Sequence, residues 1–112
     1  MLRIKQKKIF DRLRNSQCKL YGNFLLIVYI QDGNSNELAV GLTVSKKVGN
    51  AVVRNKIRRR LKAILHDLPV QPEHSHYLIN IIAKPDSINA KFSDLKNDVY
   101  RVFDKLTRYA LD

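Results

Sequence analysis

Hydrophobic positions along this chain change period several times, and each change marks an element. Phe24 to Ile30 and Leu38 to Val44 are runs dense in apolar, β-branched and aromatic residues, separated by a turn-rich stretch, Gln31 to Glu37, that contains Asp32-Gly33-Asn34. Such runs predict two strands, and their succession has the signature of a hairpin with a long loop. Val53, Ile57, Leu61, Ile64 and Leu68 then recur at spacings of three and four. This helical stripe begins after Gly49-Asn50, a turn and an N-cap whose side-chain oxygen can accept an orphan backbone N–H. Pro69 and Pro72 stop it, and Tyr77 to Ala83, closed by Lys84-Pro85, predicts another strand. Phe92, Leu95, Val99, Val102, Phe103, Leu106 and Ala110 mark a last helix from about Ser93 to Ala110, with Asp94, Lys96, Asp98, Arg101 and Lys105 outside its stripe. Near the start, Ile9, Phe10 and Leu13 predict a short basic helix within Ile4 to Arg14, and Lys19 to Asn23 allows one further short strand. The order α-β-β-α-β-α predicts an α/β (α+β) sandwich with a mixed central sheet.

Charge changes the picture from a fold to a binding protein. The 112 residues suit one domain, residues 1–112, and 45% hydrophobic content argues against disorder. Against 10 Asp and Glu stand 21 Lys and Arg, a net charge of +11, which points to nucleic acid or an anionic membrane. The longest apolar run, Phe24 to Ile30, is far short of the roughly 20 residues that span a bilayer. The apolar face of the basic helix is mainly β-branched and Leu residues suited to a core, which disfavours a membrane surface. A single cysteine, Cys18, excludes an intramolecular disulfide and makes an intracellular, cytoplasmic location the default.

The charge is concentrated. From Leu38 to His66 there is no acidic residue, and within that stretch Val44 to Lys62 carries eight basic ones. At about 100° per residue, Asn55, Arg58, Arg59 and Lys62 fall opposite the apolar stripe, with Arg54, Lys56 and Arg60 flanking it. Mutual repulsion along such a face is offset by a polyanion partner. Other chemistry is poorly supported. His74 and His76 lack third and fourth metal ligands at suitable spacing. Cys18 has no neighbouring histidine to activate it and reads as a partly buried small apolar residue. No close constellation of carboxylates could grip two magnesium ions, so a self-sufficient nuclease is disfavoured. A helix-turn-helix DNA binder is disfavoured because a strand, not a helix, precedes the basic helix.

The string from Gly41 through Val44-Ser45-Lys46-Lys47-Val48-Gly49-Asn50-Ala51-Val52-Val53-Arg54-Asn55-Lys56-Ile57-Arg58-Arg59 closely resembles the signature of the protein subunit of bacterial ribonuclease P. The element order before and after it also suits that family. The resemblance implies an endoribonuclease holoenzyme that removes the 5′ leader from precursor tRNA, with hydrolysis performed by the RNA subunit and its bound Mg2+. The protein then holds no catalytic residue and no metal or cofactor of its own. Its implied partners are the RNA subunit and the leader, with no small-molecule substrate and no membrane. The resemblance also implies a left-handed β-α-β crossover around the basic helix, against the usual right-handed preference. A structural RNA-binding protein, such as a ribosomal protein, is the alternative.

Carried over by position, the resemblance implies that Lys46, Lys47, Arg54, Asn55, Lys56, Arg58, Arg59 and Lys62 contact the RNA subunit, with Lys in place of Arg at 56 and 62. It implies a separate cleft for the single-stranded leader, lined by Phe10 and by the strand face of Phe24, Leu26 and Val28. Where many members carry a second aromatic one turn after the first, this chain has Arg14, whose guanidinium plane can also stack on a base. Another family aromatic falls on Val28 or, with a register shift of one residue, on Tyr29.

Overall fold

The computed structural model describes residues 1–33 and 36–111, with the side chains of Glu73, Tyr109, Ala110 and Leu111 outside the description. Asn34 of the predicted turn and the Ala110 side chain of the predicted stripe therefore lie outside the described residues. The elements are β1 (Leu2–Arg3), α1 (Lys7–Arg14), β2 (Lys19–Tyr21), β3 (Leu25–Gln31), β4 (Ala39–Thr43), α2 (Ala51–Asp67), β5 (Tyr77–Ala83) and α3 (Phe92–Leu111), with 3-10 turns at Pro72–His74 and Pro85–Asn89. Strand β2 is the short strand that Lys19 to Asn23 allowed. Strand β1 is an addition, too short to carry a period.

The sheet order is β1-β4-β5-β3-β2, with β4 parallel to β1 and β5, and β3 antiparallel to β5 and β2. It is mixed, as predicted, but the β3–β4 hairpin does not form. Strand β5 lies between them, pairing with β3 from Leu25↔Ala83 to Gln31↔Tyr77 and with β4 from Ala39↔Leu78 to Thr43↔Ile82. The reason lies in β5 itself. It is buried along nearly its whole length, so its backbone groups need a ladder on both edges.

The parallel β4-α2-β5 connection has a hand that the hydrogen bonds define. Val40 packs in the core beneath α2, and its carbonyl accepts from the Ile4 N–H next to β1. Viewed from α2 with β4 pointing up, an L-residue facing the viewer directs its carbonyl to the right. Strand β1 is therefore on the right of β4 and β5 on the left, so the crossover is left-handed, the disfavoured hand.

Helices α2 and α3 cover one face of the sheet, where Ile57, Leu61, Val99 and Leu106 meet Leu25, Ile27, Ile79 and Ile81. Helix α1 covers part of the other face, where Leu13 joins Ile4, Ala39 and Leu78 and leaves the rest of that face open. Two polar anchors correct the simple stripe of α3. Asp98 is 2% exposed, and its carboxylate accepts from the Asn23, Phe24 and Leu25 N–H groups at 2.8, 2.8 and 3.1 Å and from Arg101 at 2.7 Å. It holds the β2–β3 turn, and a Cβ at Gly22 would overlap it. Asp94 accepts from the Lys91 N–H at 2.9 Å and closes the first turn of α3, which leaves Phe92, expected in the stripe, exposed at the helix start. Cys18 is exposed rather than partly buried, because it enters β2 at the open edge of the sheet.

Candidate nucleic-acid interface

Helix α2 begins as its sequence predicts. The Asn50 side chain accepts from the Val53 N–H at 3.0 Å, and Ile57, Leu61, Ile64 and Leu65 are buried. Their burial turns Asn55, Lys56, Arg59 and Lys62 outward as exposed residues. Val52, 77% exposed, lies at the N-terminal end of this polar face and adds an apolar spot to it. Lys46 and Lys47 sit exposed on the turn before the helix, which is closed by the Val48 N–H on the Ser45 carbonyl and pinned by buried Val48. Among the described residues, no carboxylate pairs with any cation of this segment.

Arg54 and Arg60 are half-buried beside the stripe they were expected to flank, whereas Arg58 differs from the simple wheel. Arg58, expected opposite the stripe, is half-buried at its edge. It donates to the Asn55 side chain at 3.1 Å and to the Val44 carbonyl at 3.3 Å. At about 100° from Ile57, its stem rests against the end of β4. Arg60 donates to the Ala90 carbonyl at 3.2 Å and ties α2 to the segment before α3. Arg54 is half-buried, and its Nε is buried without a hydrogen-bond partner among the described residues.

The open part of the other sheet face forms a cleft of about 380 Å³. Phe10 and Arg14 of α1 form one wall, Val28, Asn80 and Ile82 the floor, and Thr43, Val44 and Arg58 the opposite end. The Phe10 ring lies directly on the backbone of Gly41, where a Cβ would overlap it. A glycine inside a strand commonly marks such a close approach. Arg14 is exposed beside the ring and pairs with Asp11 at 3.2 Å. Asn80, the single polar residue of β5, is 8% exposed and accepts from the Thr43 hydroxyl at 3.0 Å.

Of the residues predicted for this cleft, Phe10, Arg14 and Val28 come together. Leu26 shares their face one register step away, opposite Ile82. Phe24 does not join them. It precedes β3, in the bend that Asp98 holds, where strand alternation does not apply, and its ring packs against the core under α3. Tyr29 faces that core too, edge-on to Tyr77 with centroids 5.6 Å apart, so Val28 is the residue that faces the cleft. Asn80 and Gly41 were legible as a lone polar residue and a lone glycine in apolar strands, but their meaning depends on α1 packing over them. Arg58 lines both the cleft and the polar face of α2, and so joins the two surfaces.

A wider hollow, about 660 Å³, lies between α3 and the turn at Pro72–His74. Its one arginine, Arg101, is committed to Asp98. His74 is buried there. Its Nδ1 accepts from the Gln71 N–H at 3.2 Å, which leaves Nε2 to donate to the Thr107 hydroxyl at 2.6 Å. Both ring nitrogens are engaged, and His76 is exposed. No described helix is long and apolar enough to cross a membrane.

Comparison with known proteins agrees over nearly the whole chain. The model of the family described as Ribonuclease P matches residues 1–107. The chain is 38% identical over 105 residues to the ribonuclease P protein component of Thermus scotoductus, covering 94% of this chain but 60% of that protein. It is 34% identical over 100 residues to the protein component of Streptococcus thermophilus, covering 89% of this chain and 87% of that one. The fold is similar to the RNase P protein of Staphylococcus aureus, with a TM-score of 0.80 at 23% identity over 95% of both chains. For the RNase P protein of Thermotoga maritima the TM-score is 0.74 at 17% identity, over 96% of this chain and 97% of that one.

Proposed function

Because the chain belongs to the ribonuclease P protein family, we propose that it is the protein subunit of a ribonuclease P holoenzyme and assists endonucleolytic removal of the 5′ leader from precursor tRNA. In this role Lys46, Lys47, Arg54, Asn55, Lys56, Arg59 and Lys62 meet phosphates of the RNA subunit. The cleft of Phe10, Arg14 and Val28 takes the single-stranded leader. Arg58 serves where the two RNAs converge. The observation that carries the proposal is the joining of two different surfaces through Arg58. The basic helix suits a folded RNA, and the cleft with its aromatic ring adds a place for a single strand.

The division of labour follows from the side chains. Exposed lysine and arginine neutralise phosphates and release counterions. In the cleft, an aromatic ring fixed on a glycine backbone offers a stacking platform that loses little entropy when a base arrives. Hydrolysis itself, with the Mg2+ it uses, belongs in this proposal to the RNA subunit, and the complex acts in the cytoplasm.

Phe10→Ala should weaken binding of precursor tRNA to the reconstituted holoenzyme by roughly 1–3 kcal/mol, the scale of one base–aromatic stack. Binding of mature tRNA, which has no leader, should be unchanged. The measurement is equilibrium binding of both forms, with a thermal melt to verify folding. Equal losses for both forms from a folded variant would return Phe10 to a purely packing role.

A further inference from the structure

We propose that Tyr21 is a second stacking platform for the leader, at the far edge of the sheet from Phe10, and that Lys19 beside it holds leader phosphate. The inference rests on the leader-cleft proposal and extends it to a longer stretch of RNA.

Register carries it. Across the sheet, Lys19 pairs with Val28, Val28 with Asn80 and Asn80 with Gly41, while Tyr21 pairs with Leu26, Leu26 with Ile82 and Ile82 with Thr43. These are two parallel rows on one face. Val28, Asn80, Ile82 and Thr43 line the cleft, and the Phe10 ring lies on Gly41. Leu20, between Lys19 and Tyr21, is 6% exposed in the core under α3. Alternation therefore turns Lys19 and Tyr21 to the cleft face. Tyr21 is 60% exposed. A large aromatic that open at a sheet edge, in line with an aromatic cleft and next to a lysine, fits a single strand of RNA by both π-face and charge.

The span is also suitable. Three strand spacings separate β4, beneath Phe10, from β2, so the two rings are on the order of 14 Å apart. At about 3.4 Å per stacked nucleotide, that is about four nucleotides, and fewer where the strand is stretched. Around the edge, on the α3 side, Lys105 and Arg108 line a hollow of about 440 Å³ with Lys19, Leu20 and Tyr21. Arg108 is paired with Asp104 at 2.6 Å, whereas Lys105 has no carboxylate partner among the described residues.

The test is a series of precursor tRNAs whose leaders lengthen one nucleotide at a time. Their dissociation constants are measured on holoenzyme reconstituted with wild-type protein, Tyr21→Ala and Tyr21→Phe, with mature tRNA as the zero-length reference. Wild type should gain affinity in an early step at Phe10 and a later step a few nucleotides on. Tyr21→Ala should lose the later step alone, roughly five- to a hundredfold, and Tyr21→Phe should keep it. A length profile for Tyr21→Ala identical to wild type would overturn the proposal. So would an equal loss for mature tRNA, which would place Tyr21 against the RNA subunit. If wild type itself gains nothing from any leader, the leader-cleft proposal falls, and this one with it.

Discussion

Asp98→Ala should be strongly destabilising, costing about 3–5 kcal/mol through the loss of three backbone hydrogen bonds to a charged acceptor. For a domain of this size that lowers Tm by on the order of 15 °C. The carboxylate is 2% exposed and serves three backbone N–H groups and one guanidinium. Truncation leaves all four donors without their acceptor, and the bond to the Leu25 N–H is buried. Asp98→Asn should fall between, since its amide oxygen can still accept but its NH2 faces other donors. Urea or thermal melts of the isolated protein provide the test. A change below about 1 kcal/mol for the alanine variant, within the range of an ordinary exposed side chain, would show that the turn is held by packing alone. The same turn sets where β2, with Lys19 and Tyr21, meets β3.

The largest effect on RNA affinity should come from removing charge on the exposed face of α2. Arg59→Ala combined with Lys62→Ala should reduce the slope of log affinity against log salt, measured with the RNA subunit, by roughly 0.7–0.9 for each phosphate that the variant no longer neutralises. Affinity should fall most at low salt. Both residues are exposed and outside the core, so the melting curve of the variant should match wild type. This pair is a cleaner probe than Arg58, whose guanidinium also holds the Val44 carbonyl. A variant that binds with the wild-type salt slope would mean that these two cations meet solvent in the complex.

Local signals in the sequence carried much of this structure. The Asn50 cap and the stripe from Ile57 to Ile64 place α2 and its exposed cations, and the isoleucine-rich run delimits β5 as Tyr77–Ala83. Phe10 and Arg14, one turn apart on α1, meet Val28 as the resemblance implied. What was not legible is non-local. Periodicity reveals which way a side chain faces but not which strand lies alongside, so two consecutive strands read as a hairpin until β5 is seen between them. Phe24 misled because alternation was extended one residue past the strand, into a bend created by a carboxylate more than seventy residues away. Asp98 itself looked like one more surface charge on α3, since its partners are backbone groups that no side-chain pattern records. Arg58 was assigned to solvent by its angle on a wheel, and the end of β4 claims it instead.

The most direct test of the central claim is reconstitution with the cognate RNA subunit, following precursor-tRNA cleavage at low magnesium with and without this protein. The protein should accelerate cleavage at the correct 5′ site there, because its cations supply neutralisation that magnesium otherwise provides. The advantage should shrink as magnesium rises. A protein that binds the RNA subunit yet leaves the cleavage rate unchanged at every magnesium concentration would contradict the account and leave this chain a structural RNA-binding protein.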